Sequence, residues 1–178
     1  MADPHHVEVL DAHDRRTVLA YRAGLLVSAV GLSWSAAAQL TGEGEQVGWA
    51  LVVIGTALAI ANVHLYAKSV RWAIRACGVG GLAVLAVGGW PLAEQAGHGL
   101  LFVSLSALAF KEWFCFRIPG LRLMPLLLAA AVLARMAGAA PVAGALLGAS
   151  GALYAVLAVG KLRQPLHFDV GDKSQYEA

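Results

Sequence analysis

The chain has 178 residues, 59% of them hydrophobic and 13% charged, with a mean hydropathy of +0.68. So few polar side chains cannot cover a water-soluble globule of this length, which excludes the soluble classes and leaves a helical membrane protein. The formal net charge of +2 is small and points to no nucleic-acid partner; its distribution along the chain is the informative part.

Residues 1–18 carry Asp3, Glu8, Asp11 and Asp14 and lack the basic start and short apolar run of a removable signal peptide, so they are expected to form a cytoplasmic segment ahead of a retained signal anchor. Either Asp11 or Asp14 can cap a helix that begins before the bilayer. From there twelve of the thirteen Lys and Arg residues fall into four clusters: Arg15, Arg16 and Arg22; Lys68, Arg71 and Arg75; Lys111, Arg117 and Arg122; and Lys161, Arg163 and Lys173. Between consecutive clusters lie two apolar spans and one link without Lys or Arg, at Thr41 to Gln46, Leu92 to Ala96 and Ala139 to Pro141. Basic residues flanking membrane helices stay on the cytoplasmic side. The fold class expected is therefore all-α: a polytopic membrane protein of six transmembrane helices in three antiparallel hairpins, with both termini cytoplasmic. The six windows are Leu19 to Leu40, Val47 to Tyr66, Trp72 to Leu92, Gly97 to Phe116, Leu121 to Gly138 and Val142 to Gly160, within a domain 19–160. Arg135, the one basic residue outside the clusters, is expected to snorkel to the opposite headgroups.

Within the first span, Trp34 reads as a packing residue. In the sixth, Gly144 and Gly148 with Ala152 and Ala155 form a small-residue stripe suited to close helix approach, within the chain or at a homodimer seam. Ser150, in Gly148-Ala-Ser-Gly-Ala, matches the Gly-x-Ser-Gly signature of rhomboid intramembrane proteases. A Ser–His dyad needs a histidine in hydrogen-bond reach. Ser150 falls about 12 Å below the outer surface, His64 about 26 Å below it and His98 at the surface, so Ser150 reads as a packing residue bonded to a backbone carbonyl.

His64 is the one histidine well inside a span and reads as a hydrogen-bonded core residue; with Cys77 and Cys115 it offers no ligand spacing typical of a metal site, and a bis-histidine haem needs a second histidine at matched depth. No metal or cofactor is expected. Cys77 and Cys115 face a reducing compartment, so a structural disulfide is not expected. Lys111 and Glu112 stand about a turn inside the membrane, where charges face the bundle or find partners. Adjacent helical positions point about 100° apart, so each is expected to pair elsewhere: Glu112 with Arg22 or His64, Lys111 with lipid phosphates. Lys68, Arg71 and Arg75 follow helical spacing and can grip anionic headgroups or an acidic partner.

The tail 161–178 is stopped from continuing the sixth helix by Pro165 and carries a turn at Gly171-Asp172. Its Leu166, Phe168, Val170 and Tyr176 predict that it folds back onto the cytoplasmic face. The candidate functional cluster on that face is Arg22, His64, Lys68, Lys111, Glu112, Cys115, Asp172 and Lys173.

Three stretches resemble an uncharacterised family of small integral membrane proteins of cyanobacteria and proteobacteria, the domain of unknown function 2301. They are Asp14-Arg15-Arg16 with Tyr21-Arg22-x-Gly24; Phe110-Lys111-Glu112 with Phe114-Cys115-Phe116; and Lys161 with Gln164-Pro165 and Gly171-Asp172-Lys173-Ser174. His64-x-Tyr66-x-Lys68 is similar as well. The resemblance implies a membrane protein without an assigned activity. All of these stretches belong to the side read as cytoplasmic, and the working surface is expected there. The function expected is that of an accessory, assembly or scaffold protein of the bacterial inner membrane, or of an internal photosynthetic membrane, binding lipid and a membrane protein partner or a second copy. A small oligomeric transporter or channel and an intramembrane enzyme are the alternatives.

Overall fold

The computed structural model describes residues 9–177. Six long helices follow one another: α1 Ala12–Thr41, α2 Glu45–Ala61, α3 Lys68–Val87, α4 Pro91–Phe116, α5 Met124–Met136 and α6 Ala140–Leu162. A four-residue helix, α7 His167–Val170, lies in the tail, and single 3₁₀ turns at Leu121–Leu123 and Lys173–Gln175 complete the order. No strand occurs among the described residues. Four helices, α1, α3, α4 and α6, are long and apolar enough to cross a membrane; α2 is a shorter apolar helix of 17 residues and α5 has 13. The helix within the fifth window is thus shorter than 121–138, because Leu121–Leu123 turn as 3₁₀ helix ahead of Pro125 in the first turn of α5.

Local chemistry sets the boundaries. At the start of α1 the Asp11 carboxylate accepts from the Asp14 amide at 2.8 Å and the Asp14 carboxylate accepts from the Asp11 amide at 3.0 Å, a reciprocal cap that satisfies two orphan donors. The helix stops at Gly42, whose φ of 77° lies in the left-handed region open to glycine. Every hairpin link, 42–44, 88–90 and 137–139, is three residues long and holds at least one such glycine. The second link falls earlier than the expected Leu92 to Ala96, because Pro91 at the first helical position starts α4 there.

Helix α1 is the hub, packed along α2 on one side and α6 on the other. Its contact with α2 is backbone on backbone: a Cβ added at Gly24 would fall 2.6 Å from the Ala59 nitrogen, and one at Gly55 would fall 2.5 Å from the Ser28 nitrogen. Lipid tails supply no hydrophobic drive to association, so this closeness replaces it with dispersion contacts. Gly144 and Gly151 of α6 make the equivalent approach to Ala36 and Ser33 of α1, so the small-residue face packs within the chain. That face runs through Gly144, Leu147, Gly151, Tyr154 and Ala158; Ala152 is exposed, contrary to the expected stripe. Large apolar side chains point outward as well as inward: Leu19, Val30, Ile54, Leu126 and Val156 are all exposed. Trp34 belongs to this outer set, correcting its reading as a packing residue, and its indole N–H donates to the Gly44 carbonyl at 3.1 Å.

Candidate functional site

Two polar knots sit at opposite ends of the bundle. At the end bearing the start of α1 and the tail after α6, α1 contributes Tyr21 and Arg22, α4 Lys111 and Glu112, α6 Lys161 and α7 Asp169. Glu112 is fully buried, so its charge needs local compensation. The Tyr21 hydroxyl donates to Oε1 at 2.7 Å, Lys111 Nζ donates to the same oxygen at 2.8 Å, and Lys161 Nζ stands 2.8 Å from Oε2. Lys161 also pairs with Asp169. Asp169 in turn accepts from Arg22 Nε at 2.7 Å, while the guanidinium donates to the carbonyls of Gln164 at 2.8 Å and Pro165 at 3.0 Å. Charges therefore alternate along a buried chain, Lys111, Glu112, Lys161, Asp169, Arg22, with three cations to two carboxylates. Tyr154 lies beside it, fully buried, with its hydroxyl donating to the Leu105 carbonyl at 2.6 Å.

This arrangement corrects the expected pairings. Arg22 is occupied by Asp169 and does not meet Glu112. Glu112 does not meet His64 either. Lys111 reaches its own neighbour, because its flexible stem lets the ammonium lie 4.9 Å from the Tyr21 ring centre and return to Glu112. Its partner within the chain is thus Glu112. Tyr21, Lys161 and Asp169 were missed as members of the site. The sequence signals available were an acid set among apolar residues in Phe168-Asp169-Val170 and a cation in the last turn of an otherwise apolar α6.

The tail folds back over this end, as its apolar residues predict. Pro165 follows the end of α6, and α7 brings Asp169 and Val170 into buried positions. Lys173 pairs with Asp14, the Asp172 amide donates to the Tyr66 hydroxyl at 2.9 Å, and the Glu177 amide donates to the Tyr66 carbonyl at 3.1 Å. The Tyr176 ring meets Tyr66 edge-on at 5.1 Å, and burial pushes the Tyr176 phenol above its ordinary pKa. Lys68 joins through its backbone amide, which donates to Glu177 at 2.8 Å, while its side chain is exposed. His64 lies in the link between α2 and α3, outside any helix, with Nε2 3.4 Å from Thr17 Oγ1 and Nδ1 without a partner. Burial, then the nearby Lys111, holds His64 below its ordinary pKa. A cavity of about 230 Å³ opens between tail and bundle, lined by His64, Tyr66, Lys111, Cys115, Lys161 and Asp169 among others. All eight expected residues thus come to one end: Arg22, Lys111 and Glu112 in the charge chain, His64 and Cys115 on the cavity, and Lys68, Asp172 and Lys173 in the tail contacts.

At the opposite end Arg135 does not snorkel. Its guanidinium donates to Glu45 at 3.0 Å and lies 4.2 Å from the Trp49 ring, which stacks on His98 at 4.0 Å. His98 is buried there against Trp49. Ser150 is fully buried and donates to the Leu146 carbonyl at 2.8 Å, as its packing reading requires. No group of three or more His, Cys, Asp or Glu side chains suited to a metal ion occurs among the described residues.

The family described as "Uncharacterized integral membrane protein (DUF2301)" matches residues 58–177. The chain belongs to that family. Membership makes the long apolar helices of this DUF2301 protein those of an integral membrane protein. The matched stretch carries Lys111, Glu112, Lys161 and Asp169, four of the five members of the charge chain. A protein of Haemophilus influenzae described as uncharacterized is 34% identical over 180 residues, covering 99% of each chain. No solved structure matches this DUF2301 chain.

Proposed function

We propose that this DUF2301 protein is a non-enzymatic accessory or assembly protein of the bacterial inner membrane, with six spans and both termini cytoplasmic, and that the tail-bearing end is the face that engages a membrane protein partner. The observation that carries this reading is the docked tail. Its hydrogen bonds to Tyr66 in the 62–67 link and to the Lys68 amide that opens α3, with its buried Asp169, give that end a fixed polar surface, and twelve of thirteen basic residues cluster toward the same side. A transport path is less well supported. Between the two knots the described residues offer small hydroxyls, and Thr56, Ser104 and Ser150 spend theirs on the carbonyls of Val52, Ile74 and Leu146. The test is gentle solubilisation of native membranes and purification through an affinity tag on the full chain. A stoichiometric partner lost on Tyr66→Ala, which loosens the tail, is the expected result. A partner-free homo-oligomer that passes solute in vesicles would overturn it.

A further inference from the structure

The buried charge chain holds one cation more than its carboxylates can neutralise, and the surplus emerges in one place. Glu112, Lys161, Asp169 and Arg22 keep side-chain exposures of 0, 3, 1 and 4%, whereas Lys111 at the end of the chain retains 18% and lines the cavity. Asp169, which also lines it, is already shared by Arg22 and Lys161 and does not cancel Lys111. Lys111 shares Glu112 with Lys161, so the cluster keeps a net positive charge at a water-poor boundary, which is costly and which a bound counter-ion offsets. Tyr66 adds a donor, since its hydroxyl accepts from the Asp172 amide and keeps its own proton to give. The volume of about 230 Å³ is below the ~300–1,000 Å³ of pockets that enclose whole drug-sized ligands, so it suits a headgroup or an inorganic anion.

We propose that this cavity binds a phosphate oxyanion against Lys111, either free inorganic phosphate or the phosphodiester of an anionic lipid headgroup. The proposal rests on the reading that the tail-bearing end is the working face, and it names what that face holds. Cys115 lines the same cavity and is exposed, which makes its thiol a reporter in the unaltered protein.

The purified full chain in a non-ionic detergent is treated with N-ethylmaleimide, and alkylation of Cys115 is followed by mass spectrometry with Cys77 as internal reference. The additions are inorganic phosphate, short-chain phosphatidylglycerol, sodium chloride at matched ionic strength, and a diacylglycerol of the same chain length. At ten times Kd about nine-tenths of the sites are filled, so Cys115 labelling is expected to slow about tenfold while Cys77 is unchanged. Protection by phosphate alone identifies a soluble source, protection by phosphatidylglycerol alone a lipid source, and protection by both a site that accepts either; Lys111→Gln abolishes each. No protection in the unaltered protein, or equal protection by chloride or diacylglycerol, overturns the site. A partner still captured from membranes in that event leaves the proposed function standing and rejects the anion alone.

Discussion

Two ammonium groups and a phenol converge on the Glu112 carboxylate, and that convergence sets the most sensitive position in the chain. Glu112→Gln leaves Lys111 and Lys161 facing an amide, and is expected to cost about 3–5 kcal/mol, as breaking a buried pair does. Tyr21→Phe removes one hydrogen bond to a charged acceptor and is expected to cost about 1.5–3 kcal/mol. Both are read by thermal unfolding in detergent. A double-mutant cycle on Glu112→Gln and Lys161→Met should give a coupling of about 1–3 kcal/mol; a cycle with Arg22→Gln should give much less, and equal couplings would contradict the alternating chain. His64 adds a pH dependence whose sign is fixed. The folded protein holds its imidazole below the ordinary value of 6.5, so the unfolded chain binds the proton first, and stability falls as pH drops through about 6.5 toward the lower folded value. His64→Asn should flatten that part of the profile. At this scale the sequence showed that Glu112 needs a cation, because a carboxylate a turn inside the membrane cannot stand alone. Which cation was not legible: Lys161 reaches it because the last turn of α6 lies beside the end of α4, and Asp169 joins Lys161 only because the chain reverses after α6. Local periodicity carries no record of either packing or reversal.

Helix packing depends on where a backbone needs the absence of a side chain. Gly55→Val would force a Cβ to 2.5 Å from the Ser28 nitrogen, against backbone that cannot rotate away, and should part α1 from α2 at a cost of about 3 kcal/mol or more. Gly148→Ala would place its Cβ 3.5 Å from Ala36 Cβ, an ordinary contact, and should be tolerated within about 0.5 kcal/mol. Comparable losses for the two variants in a thermal-shift series would contradict the packing. The elements themselves were largely readable, since apolar runs, aspartate caps and glycine-bearing links are local signals. The second link was misplaced by carrying the third span through Pro91 to Leu92, when Pro91 is the first residue of the next helix. The fifth helix was overextended because apolar residues continue through a segment that turns as 3₁₀. Trp34 was misjudged for a reason peculiar to membranes: outward positions are as apolar as inward ones, so hydrophobicity does not say which face is packed.

For the molecule as a whole, the three hairpin links should lie outside and the tail inside. On a background with Cys77 and Cys115 replaced by Ser, cysteines at Glu43 or Glu94 should react with an impermeant thiol reagent in intact cells, and one at Lys173 should react only after the membrane is opened. Labelling at Lys173 in intact cells would reverse the orientation. The Arg22–Asp169 pair also has a meaning in time. Its partners lie 147 residues apart in sequence. At roughly 5–20 residues per second of synthesis, the first helix waits on the order of ten seconds in the membrane with its guanidinium uncompensated before the residue that answers it is made. Until then α1 also lacks α6, the neighbour on its other side. A chain cut short before Asp169 would keep that cation unanswered permanently, so α1 is satisfied only once α7 has been made, and chains truncated ahead of α7 should be cleared by membrane proteases far faster than untruncated ones.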